Sequence, residues 1–253
     1  MEKNTIKWAM YLNYFVFAIL LNSVGIVILK AQRNYGVDEL EASILEAFKD
    51  LPIAIVSFLV ASFLPRIGYK RAMLIGLGLV YMACITMYFG NSFATAKLLF
   101  ATVGVSFALI KVSVYSLIGT VTENQQEHNS LMSSIEGVFM IGIALAYFLF
   151  PAFNSETNPD AWLNVYWLLA GISGVSFAFL FLAKSENQVE VPGVNLLDDF
   201  RQMFQLMAKL LTIVFVISAF LFVMIEQGIM SWLPTFNSKV LHLPENISIM
   251  MAS

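Results

Sequence analysis

Between Lys7 and Lys30 the chain reads WAMYLNYFVFAILLNSVGIVIL, from Trp8 to Leu29, without one Asp, Glu, Lys or Arg. As a helix rising about 1.5 Å per residue, this run is long enough to cross a hydrocarbon core about 30 Å thick. In hydrocarbon every backbone group must bond internally, so a spanning segment is a helix or a barrel strand, and this one is too long for a strand. It is also too long for the apolar core of a signal peptide, which predicts that it stays in place as a first span.

The same pattern recurs outward from it. No charge falls between Arg71 and Lys97, or between Asp160 and Lys184. The chain is 59% hydrophobic and only 12% charged, whereas soluble domains are about a quarter charged. The windows predict seven complete spans: Trp8–Leu29, Ala42–Leu64, Ala72–Phe89, Ala96–Val121, Leu131–Phe150, Trp162–Leu182 and Leu210–Trp232. Turn-forming residues punctuate them at Gly90-Asn91-Ser92, Pro151, Asn158-Pro159-Asp160 and Leu233-Pro234. Pro244-Glu245 open an eighth helix that Ser253 cuts short, so a fragment of a longer protein is expected. The fold class is therefore all-α, a polytopic membrane helical bundle. Residues 1–182 form a six-helix unit, 183–209 a linker, and 210–253 the start of a second bundle.

Composition also excludes functions. A net charge of −3 without a basic stripe gives no footprint for nucleic acid. The single cysteine, Cys84, lies inside an apolar window, so neither a disulfide framework nor a metal cluster is expected. No His/Asp/Glu or Ser/Lys constellation recurs at one depth with catalytic spacing, which argues against an enzyme.

Basic residues set the orientation. With the N-terminus in the cytoplasm, Lys3, Lys7, Arg66, Lys70, Arg71, Lys184, Arg201 and Lys209 lie inside, against Lys30, Arg33, Lys97 and Lys239 outside. This predicts a multi-pass protein of the plasma membrane (a bacterial inner membrane) with a cytoplasmic N-terminus. In the linker, Leu196, Phe200, Met203, Phe204 and Met207 share one helical face. That segment is either an amphipathic helix on the membrane surface or an extension of the seventh span.

The loop between the second and third spans reads Ala61-Ser-Phe-Leu-Pro65-Arg66-Ile-Gly68-Tyr69-Lys70-Arg71. It resembles the Gly-x-x-x-Asp-Arg-x-Gly-Arg-Lys motif of the major facilitator superfamily at Arg66, Gly68 and Lys70. Ala61 and Pro65 replace the motif's glycine and aspartate. Six spans, a longer linker and further spans also resemble that family's two-bundle plan. Within it, Asn22 in Leu-Leu-Asn-Ser, Ile67 to Gly76, and Glu226-Gln-Gly-Ile-Met-Ser-Trp-Leu-Pro234 resemble the fucose permease-like sugar:proton symporter branch. The resemblance implies a sugar-like substrate, a proton as coupling ion, no other cofactor, and Arg66, Gly68, Lys70 and Arg71 as a conformational-gating loop. Two positions depart from it. The branch's first-helix aspartate falls at Ser23 and its fourth-helix glutamate near Ala108, with Lys111 one turn on. The Pro-Gly motif of drug antiporters is absent from Gly137-Val-Phe-Met-Ile-Gly142.

Ionisable residues inside a membrane are costly and mark pathways by default. The substrate or proton pathway candidates are Asn22, Asp50, Lys111, Glu136, Glu226 and Gln227. Glu46, Lys49 and Asp50 share a helical face, and a local Glu46–Lys49 pair is the bland alternative for the first two. Lys111 lies about 21 Å below the outer end of its span, and Glu136 reaches a similar depth on the next, which predicts an ion pair. Tyr11, Tyr14, Tyr115 and Trp232 could stack on a hydroxylated solute. The expected function is secondary transport of a small polar solute around a midplane site, partnered by the bilayer and the rest of the carrier. The alternatives are an organic-anion carrier with Lys111 as counter-ion, or a non-transporting scaffold or sensor.

Overall fold

The computed structural model describes residues 2–155, 157–182, 205 and 208–252. The amphipathic segment expected within 195–207 lies, Gln205 apart, outside the described residues. The elements are α1 (Glu2–Asn22), α2 (Val24–Asn34), α3 (Glu39–Ile67), α4 (Tyr69–Gly90), α5 (Phe93–Val121) and α6 (Gln125–Ala152). A 3-10 turn (Ala161–Leu163) precedes α7 (Asn164–Leu182), followed by α8 (Leu210–Lys239) and α9 (Glu245–Met250).

Side chains fix where several helices begin. The Asp38 carboxylate accepts from the Glu41 N–H at 2.7 Å, and the Asn124 side chain accepts from the Glu127 N–H at 2.8 Å. Ser92 and Thr95 exchange side-chain and backbone bonds as a capping box at the start of α5. Gly68, at φ 92°, joins α3 to α4 in a backbone conformation that side chains disfavour.

Five segments (α4, α5, α6, Ala161–Leu182 and α8) are long and apolar enough to cross a membrane, and α1 with α2 makes a sixth. The expected second span is the 29-residue α3, not among those six, which carries Glu46, Lys49 and Asp50 in its first half. The first predicted span is not one straight helix: α1 and α2 meet at a bend of 42°. Asn22 Nδ2 donates to the Ala18 carbonyl at 2.9 Å and Ser23 Oγ to the Leu20 carbonyl at 2.8 Å. Such back-bonding opens a helix on one side and bends it. The seventh span does not stop at Leu233-Pro234 either, because α8 runs on to Lys239. Proline withdraws one N–H from the ladder. The Met230 carbonyl that this frees accepts from the Tyr147 hydroxyl at 3.5 Å.

α5 sits between α3 and α4, and α1 packs on α6 and α7. Small residues permit these approaches, as in membrane bundles generally. A Cβ at Gly142 would lie 2.6 Å from Ala18 Cβ, and one at Gly104 would collide with the Lys49 carbonyl. α2 lies against α8 through Gly25, where a Cβ would meet the Ser231 carbonyl at 2.6 Å.

Candidate functional site

Five helices line a partly open cavity of about 350 Å³. α1 contributes Asn22, α3 contributes Lys49 and Asp50, and α5 contributes Phe107 and Lys111. Phe139 comes from α6, and Glu226 and Gln227 from α8. Residues far apart in sequence thus meet in one hollow: Asn22, Asp50, Lys111, Glu226 and Gln227 were each singled out as costly inside a membrane. Glu136 stands outside this lining.

Lys49 is the residue that sequence reasoning left out of the site. It is 3% exposed, and its Nζ donates to Gln227 Oε1 at 3.3 Å and lies 3.4 Å from Asp50 Oδ1. The alternative of a local pair with Glu46 is not formed; Glu46 Oε1 is buried without a hydrogen-bond partner among the described residues. The backbone explains why Lys49 is held so firmly. Its carbonyl rests on Gly104 of α5, so the side chain starts from a fixed point. The absence of a side chain at Gly104 was the one sequence signal that could have pointed there.

The expected Lys111–Glu136 ion pair is also corrected. The two share a neighbour rather than a bond. The Tyr115 hydroxyl donates to Glu136 Oε1 at 2.6 Å, and the Lys111 ammonium stands 5.9 Å from the Tyr115 ring centroid and 5.6 Å from that of Phe107. Tyr115 lies one turn beyond Lys111, and its phenol reaches α6 first. Aromatic faces attract cations, so the ammonium gains from the rings instead. Of the aromatic candidates, Tyr14 is buried among Phe107, Tyr115 and Phe139 rather than lining the cavity. Tyr11 and Trp232 are partly buried against the core, and the rings on the cavity are Phe107 and Phe139.

At the loop between α3 and α4, the Lys70 ammonium donates to the Phe181 carbonyl at 3.0 Å, in the last turn of α7. A cation at a helix C-terminus is favourably placed. Gly68 forms the joint, Arg71 is exposed, and the Arg66 side chain lies outside the described residues.

A membrane bundle with a central polar cavity occurs in more than one family. The model of one of them, described as Major Facilitator Superfamily, matches residues 10–253. The chain belongs to the Major Facilitator Superfamily. Its backbone is similar to that of a solved structure described as a D-xylose–proton symporter, with a TM-score of 0.66 and 13% sequence identity. That match covers 100% of this chain and 65% of the symporter, so this chain spans under two thirds of the symporter's length. At that identity the likeness concerns the fold, and it is the fold expected for a major facilitator protein. A comparison with curated proteins gives no match. The family and the apolar helices make this a multi-pass membrane protein.

Proposed function

We propose that this major facilitator chain is part of a proton-coupled secondary carrier, not an enzyme, moving a small, hydroxylated, sugar-like solute by alternating access. In this reading residues 1–182 form one bundle and 210–253 begin the other, and the two rock about the cavity between them. The N-terminus lies on the cytoplasmic side of a bacterial inner membrane.

The observation that carries the reading is the cavity lined from both sides of that division. Asn22, Lys49, Asp50 and Lys111 come from the first bundle, Glu226 and Gln227 from α8. A bare structural helix bundle gains nothing by gathering these groups, since each costs free energy in hydrocarbon. Amide and carboxylate groups beside Phe107 and Phe139 suit a solute with several hydroxyls and one apolar face. The sugar class rests on the likeness to the D-xylose–proton symporter and on the resemblance to the fucose permease-like branch. With Ser23 and Ala108 at that branch's acidic positions, the coupling proton is assigned to Asp50, Glu136 or Glu226. Arg66, Gly68, Lys70 and Arg71 act as the gating joint on the cytoplasmic side.

The test is uptake of labelled pentoses and hexoses by proteoliposomes holding the full-length carrier, with and without an imposed pH gradient. Accumulation that follows the gradient and collapses with a protonophore supports the reading. Uptake indifferent to the gradient refutes the coupling, and transport of carboxylates in place of sugars would move Lys111 to the role of counter-ion.

A further inference from the structure

α4 and α7 contribute no residue to the central cavity, and they pack on each other. Between them lies a second hollow of about 410 Å³, lined by Gly78, Tyr81, Met82, Gly174 and Phe177. Tyr81, Met82 and Phe177 are exposed, so the hollow opens outward, and both helices belong to segments apolar enough to span a membrane. What it meets there is hydrocarbon rather than water. Glycine weakens a helix interior, and at Gly104 and Gly142 that weakness is offset by close approach of a neighbouring helix. At this hollow it is not. A Cβ at Gly78 would lie 3.9 Å from the Phe177 ring, and one at Gly174 would lie 3.7 Å from the Tyr81 ring, so each has room. The two glycines leave a space that no side chain of α4 or α7 takes.

We propose that this groove holds one acyl chain of an anionic phospholipid whose phosphate rests at Arg71 and Lys70. The cations stand at the groove's mouth by two routes. The Phe177 ring stacks on that of Phe181, with centroids 6.2 Å apart and planes 8° apart, and the Phe181 carbonyl accepts from the Lys70 ammonium. On α4, Arg71, Ile75, Gly78 and Met82 follow one another at spacings of four, three and four, which puts them on one face. Arg71 is exposed and forms no ion pair among the described residues; it begins that face about 10 Å along the axis from Gly78. A lipid whose phosphate sits at the helix ends carries its chain to that depth. Charge selects the occupant. Any chain can enter an apolar groove, since lipid tails are as apolar as the lining. Cations at its mouth favour an anionic headgroup, and the basic residues assign this face to the cytoplasmic leaflet, where such lipids gather. The site needs neither a solute nor a coupling ion, so it stands apart from the transport reading.

The experiment uses the full-length carrier, depleted of lipid in detergent and titrated with phosphatidylglycerol or phosphatidylcholine, with bound lipids counted by native mass spectrometry. One phosphatidylglycerol should be held, at least about tenfold more tightly than phosphatidylcholine. Arg71→Gln should cut that preference about fivefold, and Arg71→Lys should keep most of it. Gly78→Leu fills the groove where about two methylenes would lie, so it should weaken both lipids about tenfold and leave the preference unchanged. Equal affinity for the two lipids in the wild type, or unchanged retention in Gly78→Leu, overturns the site. A preference unchanged in Arg71→Gln overturns the headgroup assignment. A second measurement uses the unaltered carrier and so does not depend on how a variant folds. Phosphatidylglycerol with a diazirine in mid-chain should cross-link to peptides holding Tyr81, Met82 or Phe177, and an even spread over the lipid-facing helices overturns the groove. A carrier that holds the lipid as described and moves no sugar leaves this site standing while the substrate reading fails.

Discussion

The two ends of α8 are unlike in their surroundings and in their side chains. From Leu210 to Ile225 the helix is open: Leu211 is 82% exposed, Phe215 71% and Ile225 60%. From Ser231 to Asn237 it is gripped, with Ser231 2% exposed, Thr235 5% and Asn237 4%. Composition already separates these stretches, since Ser231, Thr235 and Asn237 bring polar groups to the gripped end, and shape sharpens the difference. The gripped end meets Gly25, which lets two backbones touch, and continues into the polar cluster around Glu245. The open end offers mostly large apolar side chains, which have no reason to prefer protein over lipid. Close approach and directional bonds, rather than hydrophobicity, hold one helix to another inside a membrane.

If the gripped end depends on that close approach, Gly25→Val gives the largest effect. Its Cβ has no room beside Ser231, and overpacking of this kind costs about 1–3 kcal/mol. Uptake by the full-length carrier should fall at least about tenfold, while Gly228→Ala, on the open side of α8 with nothing within 4 Å of the added carbon, should change it less than about twofold. Equal losses from both would show that the close approach of α2 to α8 at Gly25 is not what matters, and would remove the distinction between the two ends of α8.

Next in size is Lys49→Met, which takes the partner from Asp50 and the donor from Gln227. Uptake should fall about tenfold, in line with the loss of charge-assisted bonds. Full activity would reduce Lys49 to a packing residue and detach α3 from the site.

A smaller effect separates the two arrangements of charge beneath the cavity. In double-mutant cycles scored by thermal unfolding, Tyr115→Phe and Glu136→Gln should show coupling of about 1.5 kcal/mol, as for hydrogen bonds to charged groups. Lys111→Met and Glu136→Gln should show less than about 0.5 kcal/mol, because the phenol stands between them. A larger value for the second pair would restore the direct ion pair that the depths of the two residues suggest.

The smallest effect belongs to the rim of the gripped end. Lys239 hydrogen-bonds the Glu39 carboxylate, and that bond, with the Glu39 backbone bond and the ammonium's charge, holds the carboxyl below its usual range. A lowered carboxyl stabilises the folded form above the ordinary carboxylate range, and the gain disappears as pH falls through the lowered value. Both partners are about half exposed, so Lys239→Gln should leave uptake at neutral pH nearly unchanged. A large loss there would make the Lys239–Glu39 bond part of what holds α8 against α3.

By itself the sequence located the apolar helices, although α3, α5 and α6 begin at Glu39, Phe93 and Gln125, ahead of the expected Ala42, Ala96 and Leu131. Charge-free windows locate the helices because hydrocarbon admits little else, and Asp38, Ser92 and Asn124 start three of them by bonds spanning three residues. It also marked Asn22, Asp50, Lys111, Glu226 and Gln227 as pathway candidates, because polar groups at that depth need a reason to be there, and the five line one cavity. The bend at Asn22-Ser23 and the passage of α8 through Pro234 were less legible, since each depends on which carbonyl a neighbouring donor happens to reach. Tertiary structure alone decided the partners. Lys49 bonds to Asp50 and Gln227 rather than Glu46, Tyr115 intervenes between Lys111 and Glu136, and Glu245 finds Lys30 from the far end of the chain. The physical reason is geometric. Spacing along one helix fixes which residues share a face, but contact across two helices depends on their rotation and distance, and Gly25 and Gly104 set those.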